Sequence, residues 1–561
     1  MDNQRLIIWG LFGVLAWITY QTWVRDFAPK PVPVESGQTE VLSAPAAQEA
    51  DLPTLATPAA GELDAPALEG ETTPDPTGAA PAIKTVSVTT DVYKLEISTR
   101  GGTIQGATLF KYPVAKDRPN ELVELLSTDP ATLGLIQTGL RAVGDGAEPN
   151  HLATFETRSD SYDLGDADEL EVPFTWTGAD GVTVTKRFLF KRGEYALRVE
   201  QTVQNGSADL WRGAGYAQIQ RVSKEQDRSM FDVDSYSFSG PVVYNGEKSE
   251  KYSHDDLVDD GAVTLKAVNG WIASIQHHFL SAAVPQRDTE RTYSVSVKGG
   301  RSTTSMIGQA ESIAPGSSKT FTTTVFIGPK LQAQLEKIDE TLKLTVDYGW
   351  LTIISQPLFW LLSVVHDFVH NWGVAIILVT FLIKLAFYKL TESSGRSMAK
   401  MRNLQPRMKA LQDRYKDDKQ ALSQAMMELY KREKVNPAAG CLPILIQMPF
   451  FLAFYWVLLE SVEMRQAPFA LWITDLSTRD PYFILPLIMG AAMFMQQKLN
   501  PAPADPMQAK VMQIMPVMFT AFFAFFPSGL VLYWVTNTVL SIAQQWKINR
   551  VVEQEAREKK H

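Results

Sequence analysis

Apolar and polar residues alternate with a period of two along much of the first half of the chain. The stretches VSVTTDVYKLEIST, VTVTKRFLF, YALRVEQTVQ, RTYSVSVKG and KTFTTTVFIG show this alternation, and turn sequences such as RGG, KRGEY and KGGRS separate them. Alternation of this kind is typical of half-buried strands. It predicts one large antiparallel β domain over residues 85–330, most simply a sandwich of two sheets.

The pattern changes to helical spacing after residue 330. Residues 331–371 are amphipathic and rich in aromatic side chains, and we expect them to form external, interfacial helices that lead into a membrane. An apolar transmembrane span follows at 372–390. Residues 437–547 hold four further spans, at 438–459, 482–496, 511–526 and 530–545. The last three fall near or below the roughly 20 residues of a usual span, which predicts tilting, local bilayer thinning or broken helices.

The N-terminal region has two different compositions. An apolar stretch at 6–23 has no small-x-small cleavage site directly after it, so we interpret residues 1–27 as an uncleaved transmembrane signal-anchor. Residues 28–84 are rich in proline, alanine, threonine and acidic residues and contain almost no aromatic residues. Such a composition buries too little apolar surface to offset the entropy of ordering, and it predicts a disordered linker.

The distribution of charge predicts the orientation in the membrane. The segment 391–436 between the first two core spans is strongly basic, and so is the tail at 548–561, whereas the connection at 460–481 is slightly acidic. Basic loops remain in the cytoplasm. Both termini are therefore expected inside and the β domain outside, with FPSG at 526–529 forming a tight external turn.

The overall composition excludes several classes of function. A net charge of −9 argues against a nucleic-acid-binding protein. The single cysteine, Cys441, excludes an intrachain disulfide and a CxxC site, and we interpret it as apolar filler. The chain has no GxSxG, HExxH or P-loop sequence. His366 and His370 have metal-ligand spacing but no third ligand, so two interfacial imidazoles are the simpler interpretation.

Lys384 is a charge inside an apolar span. Such a charge costs roughly 2.5–3.5 kcal/mol at a helix centre. Either its side chain extends to the interface, or it faces a hydrated recess. Thr380, one turn earlier on the same face, favours the recess. So do polar residues on the other spans, namely Gln447, Thr520, Thr536, Asn537 and Thr538.

The basic segment at 391–436 is predicted to form a helical hairpin. Apolar residues recur there at spacings of three and four, at Met398, Met401, Leu404, Met408, Leu411 and Tyr415. A methionine-rich stripe is either an adaptable docking surface or the seam between the two helices. On the first interpretation, the docking face consists of Met398, Met401, Arg402, Met408, Lys409 and Arg414.

Several long stretches resemble a known family. SMAKMRNLQPRMKALQDRYKDDKQ, EKVNPAAGCLPILIQMPFFLAFYWVL, RQAPFALWITDLSTRDPYFILPLIMG and FPSGLVLYWVTN are similar to the bacterial YidC membrane-protein insertases. The similarity is dense over residues 348–546, and it extends more loosely to the anchor and external domain of the Gram-negative type. The resemblance implies an N-terminal anchor, a five-helix membrane core and a periplasmic β-supersandwich.

The resemblance also implies a hydrophilic groove that is open to the cytoplasm and to lipid. Lys384 occupies the position of the family's groove cation, which is usually arginine; lysine keeps the charge but loses the bidentate fork. A polar client tail would enter the groove, and the apolar segment would leave sideways into lipid. The residues expected to line this path are Lys384, Thr380, Gln447, Met448, Phe451, Tyr533, Trp534 and Asn537.

The implied function is insertion and folding of inner-membrane proteins, alone or with the Sec translocon, without enzyme activity, cofactor or metal. Implied partners are nascent inner-membrane proteins, the lipid bilayer, and the ribosome and signal-recognition receptor at the hairpin and tail. One alternative is a small-molecule transporter or channel, although the core spans show no internal repeat. Another is a carbohydrate enzyme in the β domain, although no acid–base pair is visible.

Overall fold

The computed structural model describes residues 83–143, 148–223, 237–415, 418–433, 435, 442–500 and 506–558. The predicted anchor at 1–27, the linker at 28–84 except its last two residues, and Cys441 lie outside the described residues. Within the described part, a domain of mainly antiparallel strands comes first and helices follow. This order agrees with the predicted fold class.

The strands of the β domain follow the alternating stretches of the sequence. Among the described residues they are β1 Thr85–Thr89, β2 Tyr93–Ser98, β3 Ile104–Ala115, β4 Arg118–Leu126, β5 Gly134–Ala142, β6 Ser161–Asp163, β7 Glu169–Thr177, β8 Val182–Lys191, β9 Ala196–Asn205, β10 Trp211–Val222, β11 Ser239–Tyr244, β12 Ser249–Lys251, β13 Val263–Val268, β14 Trp271–Gln276, β15 Phe279–Pro285, β16 Glu290–Lys298, β17 Arg301–Ile307, β18 Glu311–Ile313 and β19 Ser318–Pro329. A short helix, α1, lies at His254–Asp259.

These strands form two sheets. The first has the order β13-β16-β17-β10-β5-β3-β2-β1-β6, with β18 also paired to β10 and β4 to β3. The second has the order β12-β11-β14-β15-β19-β9-β8-β7. Neighbouring strands run antiparallel, except that β1 and β6 pair in parallel. Buried side chains of both sheets belong to one hydrophobic core, as in a sandwich.

Strand β8 shows how the sequence pattern produces this core, and where the pattern is interrupted. Val182, Val184, Phe188 and Phe190 are buried at every second position, and Lys186 is buried at the position between them. The Lys186 ammonium donates to the carbonyls of Gly101 and Thr138, each at 2.7 Å. Burial lowers the pKa of Lys186 to about 7.

The helices that follow contain the predicted spans and the hairpin. In chain order they are α2 Gln332–Ile338, α3 Thr352–Val369, α4 Trp372–Ala386, α5 Tyr388–Arg414, α6 Lys419–Arg432, α7 Leu442–Glu460, α8 Ile484–Leu499, α9 Pro506–Phe523 and α10 Ser528–Glu558. Asn371 caps α4 by accepting a hydrogen bond from Val374 N–H. The buried carboxylate of Asp480 accepts from Leu485 N–H at 2.7 Å and thereby caps α8.

The predicted span at 372–390 does not form one continuous helix. The chain bends by 70° between α4 and α5, at Phe387, whose ring packs edge-on against Phe450 at 5.4 Å. Among the described residues, Gly349–Val369 is long and apolar enough to cross a membrane, and the bent pair α4 and α5 passes the same test together. Gly349–Val369 lies in the segment for which we predicted interfacial helices.

The end of α7 meets the β domain in a buried polar contact. Lys330, which follows β19, forms an ion pair with Glu460 at 2.9 Å, and the two side chains are 1% and 6% exposed. Ser237 donates a second hydrogen bond to the Glu460 carboxylate at 2.7 Å, and a His277 ring nitrogen hydrogen-bonds the Leu459 carbonyl. Since the last carbonyls of a helix lack partners within the helix, this contact completes the end of α7. We call these residues the junction.

Candidate functional site

Two adjoining cavities lie between the helices that follow the β domain. Their volumes are about 770 Å³ and about 30 Å³, and Gln447 and Asn537 line both of them. We call the two together the groove. The smaller cavity is lined further by Thr380, Ile383, Lys384, Phe387, Thr391, Ile446, Phe450 and Tyr533.

The residues predicted from the sequence converge on this groove. Thr380, Lys384 and Tyr533 line the smaller cavity, and Met448, Phe451 and Trp534 line the larger one. Together with the shared pair Gln447 and Asn537, they come from helices α4, α7 and α10. The structure therefore brings together side chains that are more than 150 residues apart in the sequence, such as Lys384 and Asn537.

The ammonium of Lys384 is held by a hydroxyl group. Its Nζ donates to Ser541 Oγ at 2.7 Å, and Ser541 donates in turn to the Asn537 carbonyl at 2.7 Å. The side chain is half-buried. Within the described part of the chain, no carboxylate forms an ion pair with it. Lys384 is thus a fixed cation beside a cavity, with a neutral partner.

The polar neighbours of Lys384 are themselves held in place. The Tyr533 hydroxyl hydrogen-bonds the Gln447 side chain, and the Tyr533 ring stacks on Phe454 with the ring centres 4.5 Å apart. Thr380 donates its hydroxyl proton to the Ile376 carbonyl of its own helix at 2.6 Å. Thr380 therefore lines the same cavity as Lys384, but its hydroxyl group donates a hydrogen bond within α4.

The larger cavity has an aromatic wall, which consists of Phe451, Phe519, Phe523 and Trp534. The Trp534 ring packs edge-on against Phe451 at 4.8 Å, tilted on Phe523 at 5.3 Å and stacked on Phe519 at 6.4 Å. Met448 lies beside this wall and is 40% exposed. The groove thus has an apolar side of large rings and a polar end that carries a positive charge, so it is suited to an amphipathic polypeptide segment.

Sequence reasoning missed two contributors to this site. Ser541, the partner of Lys384, lies one helical turn after Asn537 on α10. Gln544 donates to the Thr391 hydroxyl at 2.8 Å and so connects α10 to α5 near the bend. The signal was present, because residues three or four apart lie on one face of a helix, and Asn537, Ser541 and Gln544 follow that spacing.

The two histidines with metal-ligand spacing do not form a metal centre. The His366 ring stacks on Trp372 at 4.0 Å, and His370 adopts a left-handed conformation at the end of α3. Across the described ranges, no group of three or more His, Cys, Asp or Glu residues is arranged to hold a metal ion.

The basic segment forms the helices α5 and α6, which pack through a small apolar cluster. Leu404, Met408, Leu429 and Val435 are buried in it, and Met401 packs against it. Met401 and Met408 therefore belong to the seam of the hairpin. Of the other residues predicted to dock partners, Lys409 and Arg414 are exposed, and Met398 and Arg402 are half-buried.

Comparisons with known proteins cover nearly the whole chain. A family model described as "60Kd inner membrane protein" matches residues 364–556, and one described as "YidC periplasmic domain" matches residues 85–361. A protein of Thioalkalivibrio sulfidiphilus named "Membrane protein insertase YidC" is 46% identical, with 99% of each chain covered. A protein of Nitrosococcus oceani with the same name is 44% identical over 99% of this chain and 100% of its own.

A solved structure also aligns with the chain. It is titled "Active YidC insertase crystal structure with the first transmembrane domain resolved", and it is 20% identical, with 83% of this chain and 94% of its own covered. The TM-score is 0.36.

Proposed function

Because this chain belongs to the family of YidC membrane protein insertases, we propose that its groove receives the polar part of a client protein and that Lys384 is the charge that attracts it. The chain is an insertase of the inner membrane with a periplasmic domain, and it is not an enzyme. Its substrates are nascent membrane proteins. The groove offers such a client a positive charge at one end and an apolar wall along one side.

The observation that carries the proposal is the bonding of Lys384. A cation that pairs with a carboxylate of its own fold has little attraction left for a ligand, whereas the Lys384 ammonium hydrogen-bonds a hydroxyl and no carboxylate among the described residues. At an effective dielectric of about 20, a carboxylate 4 Å away would gain about 4 kcal/mol before desolvation costs. The acidic tail of a client would therefore be drawn into the recess beside Gln447 and Asn537.

The apolar part of the client would follow the aromatic wall. Phe451, Phe519, Phe523 and Trp534 line the larger cavity with aromatic rings, and Met448 lies exposed next to them. Movement of an apolar helix from water to lipid is favourable by about 25 cal/mol for each Å² of apolar surface removed from water. This transfer supplies the driving force, so the step needs no nucleotide.

We further propose the topology that the charges indicate. The hairpin α5–α6 and the C-terminal end of α10 lie in the cytoplasm, and the β domain and the turn before α10 lie in the periplasm. The exposed Lys409 and Arg414 of the hairpin are suited to contact ribosomal RNA or the targeting receptor. The Sec translocon is proposed as a further partner, through the groove side or the β domain.

The decisive experiment uses purified protein in liposomes and a two-span client with an acidic external loop. Protease protection of the loop is compared for the wild type and for Lys384→Arg, Lys384→Ala and Lys384→Glu, without nucleotide or membrane potential. We expect protection with lysine and arginine, a partial loss with alanine and a loss of about tenfold or more with glutamate, because the glutamate repels the loop. Lys400→Glu, an exposed charge reversal on α5, is the matched control.

The other outcomes are equally informative. Equal protection by all the Lys384 variants would remove the groove charge from the mechanism and make Lys384 a residue that reaches the interface. Protection by none, the wild type included, would contradict insertion by this chain alone. Uptake of small anions by the same liposomes would then favour the transporter or channel alternative.

A further inference from the structure

A second large cavity lies beside the junction, at the C-terminal end of α7. Its volume is about 860 Å³, and most of its lining comes from three connections in the chain. The hairpin between β3 and β4 contributes Lys116 and Asp117, the turn between β14 and β15 contributes His277 and His278, and the connection between α7 and α8 contributes residues 465–481 in part. A volume of this size is typical of a small-molecule site and far exceeds that of a buried water.

The cavity carries charges of both signs. Lys116, Arg465 and Arg479 line it, together with Asp117 and Asp475. Arg465 is engaged, since it donates to the carbonyls of Pro113 and Val114 at 2.9 and 3.0 Å. Arg479 and Asp117 are exposed, and neither forms an ion pair within the described residues. The site therefore offers a free guanidinium and a free carboxylate to one occupant.

One buried imidazole, that of His278, lies in the cavity wall. His278 is 8% exposed, and its Nδ1 has no hydrogen-bond partner among the described residues. Burial keeps the pKa of His278 well below its usual value, so the ring is neutral. Its Nδ1 is enclosed by protein atoms, so His278 forms part of the cavity wall and leaves the recognition of a charged group to the exposed side chains.

The surroundings of the cavity suit a molecule with an apolar end. Phe279, Leu458, Leu459 and Pro527 form part of its lining. In the α7–α8 connection and at the start of α8, Leu471 and Tyr482 are 87% and 66% exposed. Exposed apolar and tyrosine side chains next to membrane helices are typical of the lipid interface. An amphiphile could thus place its polar group in the cavity and its chains along this surface.

We propose that this cavity binds the headgroup of a phospholipid that has both a phosphate and a primary ammonium, as phosphatidylethanolamine has. The phosphate lies against Arg479 and the one remaining hydrogen of the Lys116 ammonium, which already donates to the carbonyls of Gln466 and Thr474. The ammonium of the lipid donates to the carboxylate of Asp117 or Asp475. This site is separate from the groove, and the proposal does not depend on the role of Lys384.

The test is native mass spectrometry of the full chain in a nonionic detergent, titrated with one lipid at a time. Phosphatidylethanolamine is expected to bind at least about tenfold more tightly than phosphatidylcholine, whose quaternary ammonium has no hydrogen to donate. Arg479→Ala and Asp117→Asn are expected to weaken phosphatidylethanolamine binding by about fivefold to tenfold each, while Arg479→Lys recovers part of it. Arg301→Ala, an exposed arginine of β17 outside the cavity lining, is the matched control.

Two results would overturn the proposal. One is equal binding of the ethanolamine and choline lipids that neither Arg479→Ala nor Asp117→Asn changes. The other is binding of free phosphoethanolamine as tight as that of the lipid, since the cavity would then serve a soluble phosphate ester. Because Arg479 and Asp117 are exposed, their variants are expected to fold, and an unchanged unfolding temperature verifies this.

Discussion

Lys384 in the groove and Lys330 in the junction are both cations removed from bulk water, but their partners differ. Lys330 is 1% exposed and is paired with Glu460 at 2.9 Å. Lys384 is half-buried beside a cavity and donates to the hydroxyl of Ser541. The fold supplies a counterion where the charge joins two parts of the molecule. It supplies none among the described residues where the charge lies beside the groove.

The largest effect is expected when the counterion of Lys330 is removed. Glu460→Ala leaves a buried ammonium unpaired, which costs about 3–5 kcal/mol of the free energy of unfolding. Urea unfolding of the purified protein, followed by tryptophan fluorescence, measures this cost. Glu121→Ala is the matched control, because Glu121 pairs with Arg118 at 2.7 Å but both side chains are more than half exposed. The control should lose at most about 1 kcal/mol.

A double variant sharpens this result. Lys330→Met with Glu460→Leu removes both charges, and it should be less destabilised than Glu460→Ala alone, because no buried charge is left without a partner. If Glu460→Ala unfolds at the same urea concentration as the wild type, water reaches Lys330 and the junction is not a dry contact.

The second prediction gives Lys384 the kind of partner that Lys330 has. Ser541→Asp places a carboxylate where the ammonium now meets a hydroxyl, so the positive charge is neutralised within the fold. Insertion of the client with an acidic loop should fall by about tenfold, since this is the effect of losing about 1.4 kcal/mol of attraction. The rate of loop protection in liposomes measures it. A client with a neutral loop should be affected less.

Ser541→Asn separates charge from shape in this experiment. Asparagine is about as large as aspartate and remains neutral. The rate of loop protection by Ser541→Asn should therefore stay within about threefold of the wild-type rate. If Ser541→Asp inserts the acidic client as fast as Ser541→Asn does, an unpaired cation is not what the groove requires.

Much of this fold is predictable from local sequence patterns. The period-two stretches identify strands such as β8, β9 and β19, because one face of each is buried and the pattern records that face. The bend at Phe387 is different, since the sequence has neither proline nor glycine there. At the bend, Phe387 packs against Phe450 of α7, and no local pattern records that contact.

The same distinction applies to the candidate site. Lys384 stands out locally because it is a charge among apolar residues. The pair of Lys330 and Glu460 does not, because the partners are 130 residues apart and each has an ordinary polar neighbourhood in the sequence. Ser541 is an intermediate case, since its helical spacing from Asn537 was visible but its contact with Lys384 requires the packing of α4 on α10.

The smallest effect concerns a third lysine, Lys186. Among the described residues, no carboxylate forms an ion pair with it, and it lies in the β-domain core away from the groove. Lys186 donates to two carbonyls in the β-domain core, and burial lowers its pKa to about 7. Between pH 7 and about 10 the unfolded chain holds this proton while the folded chain has lost it, so the unfolded state binds more protons and stability rises with pH. From pH 7 to pH 8 the gain should be about 1 kcal/mol.

Glu463, whose pKa burial raises to about 7, titrates in the same range with the opposite sign. Urea unfolding at both pH values for the wild type and for Lys186→Met isolates the lysine, and equal pH dependence in the two proteins would show that Lys186 keeps its proton in the folded core.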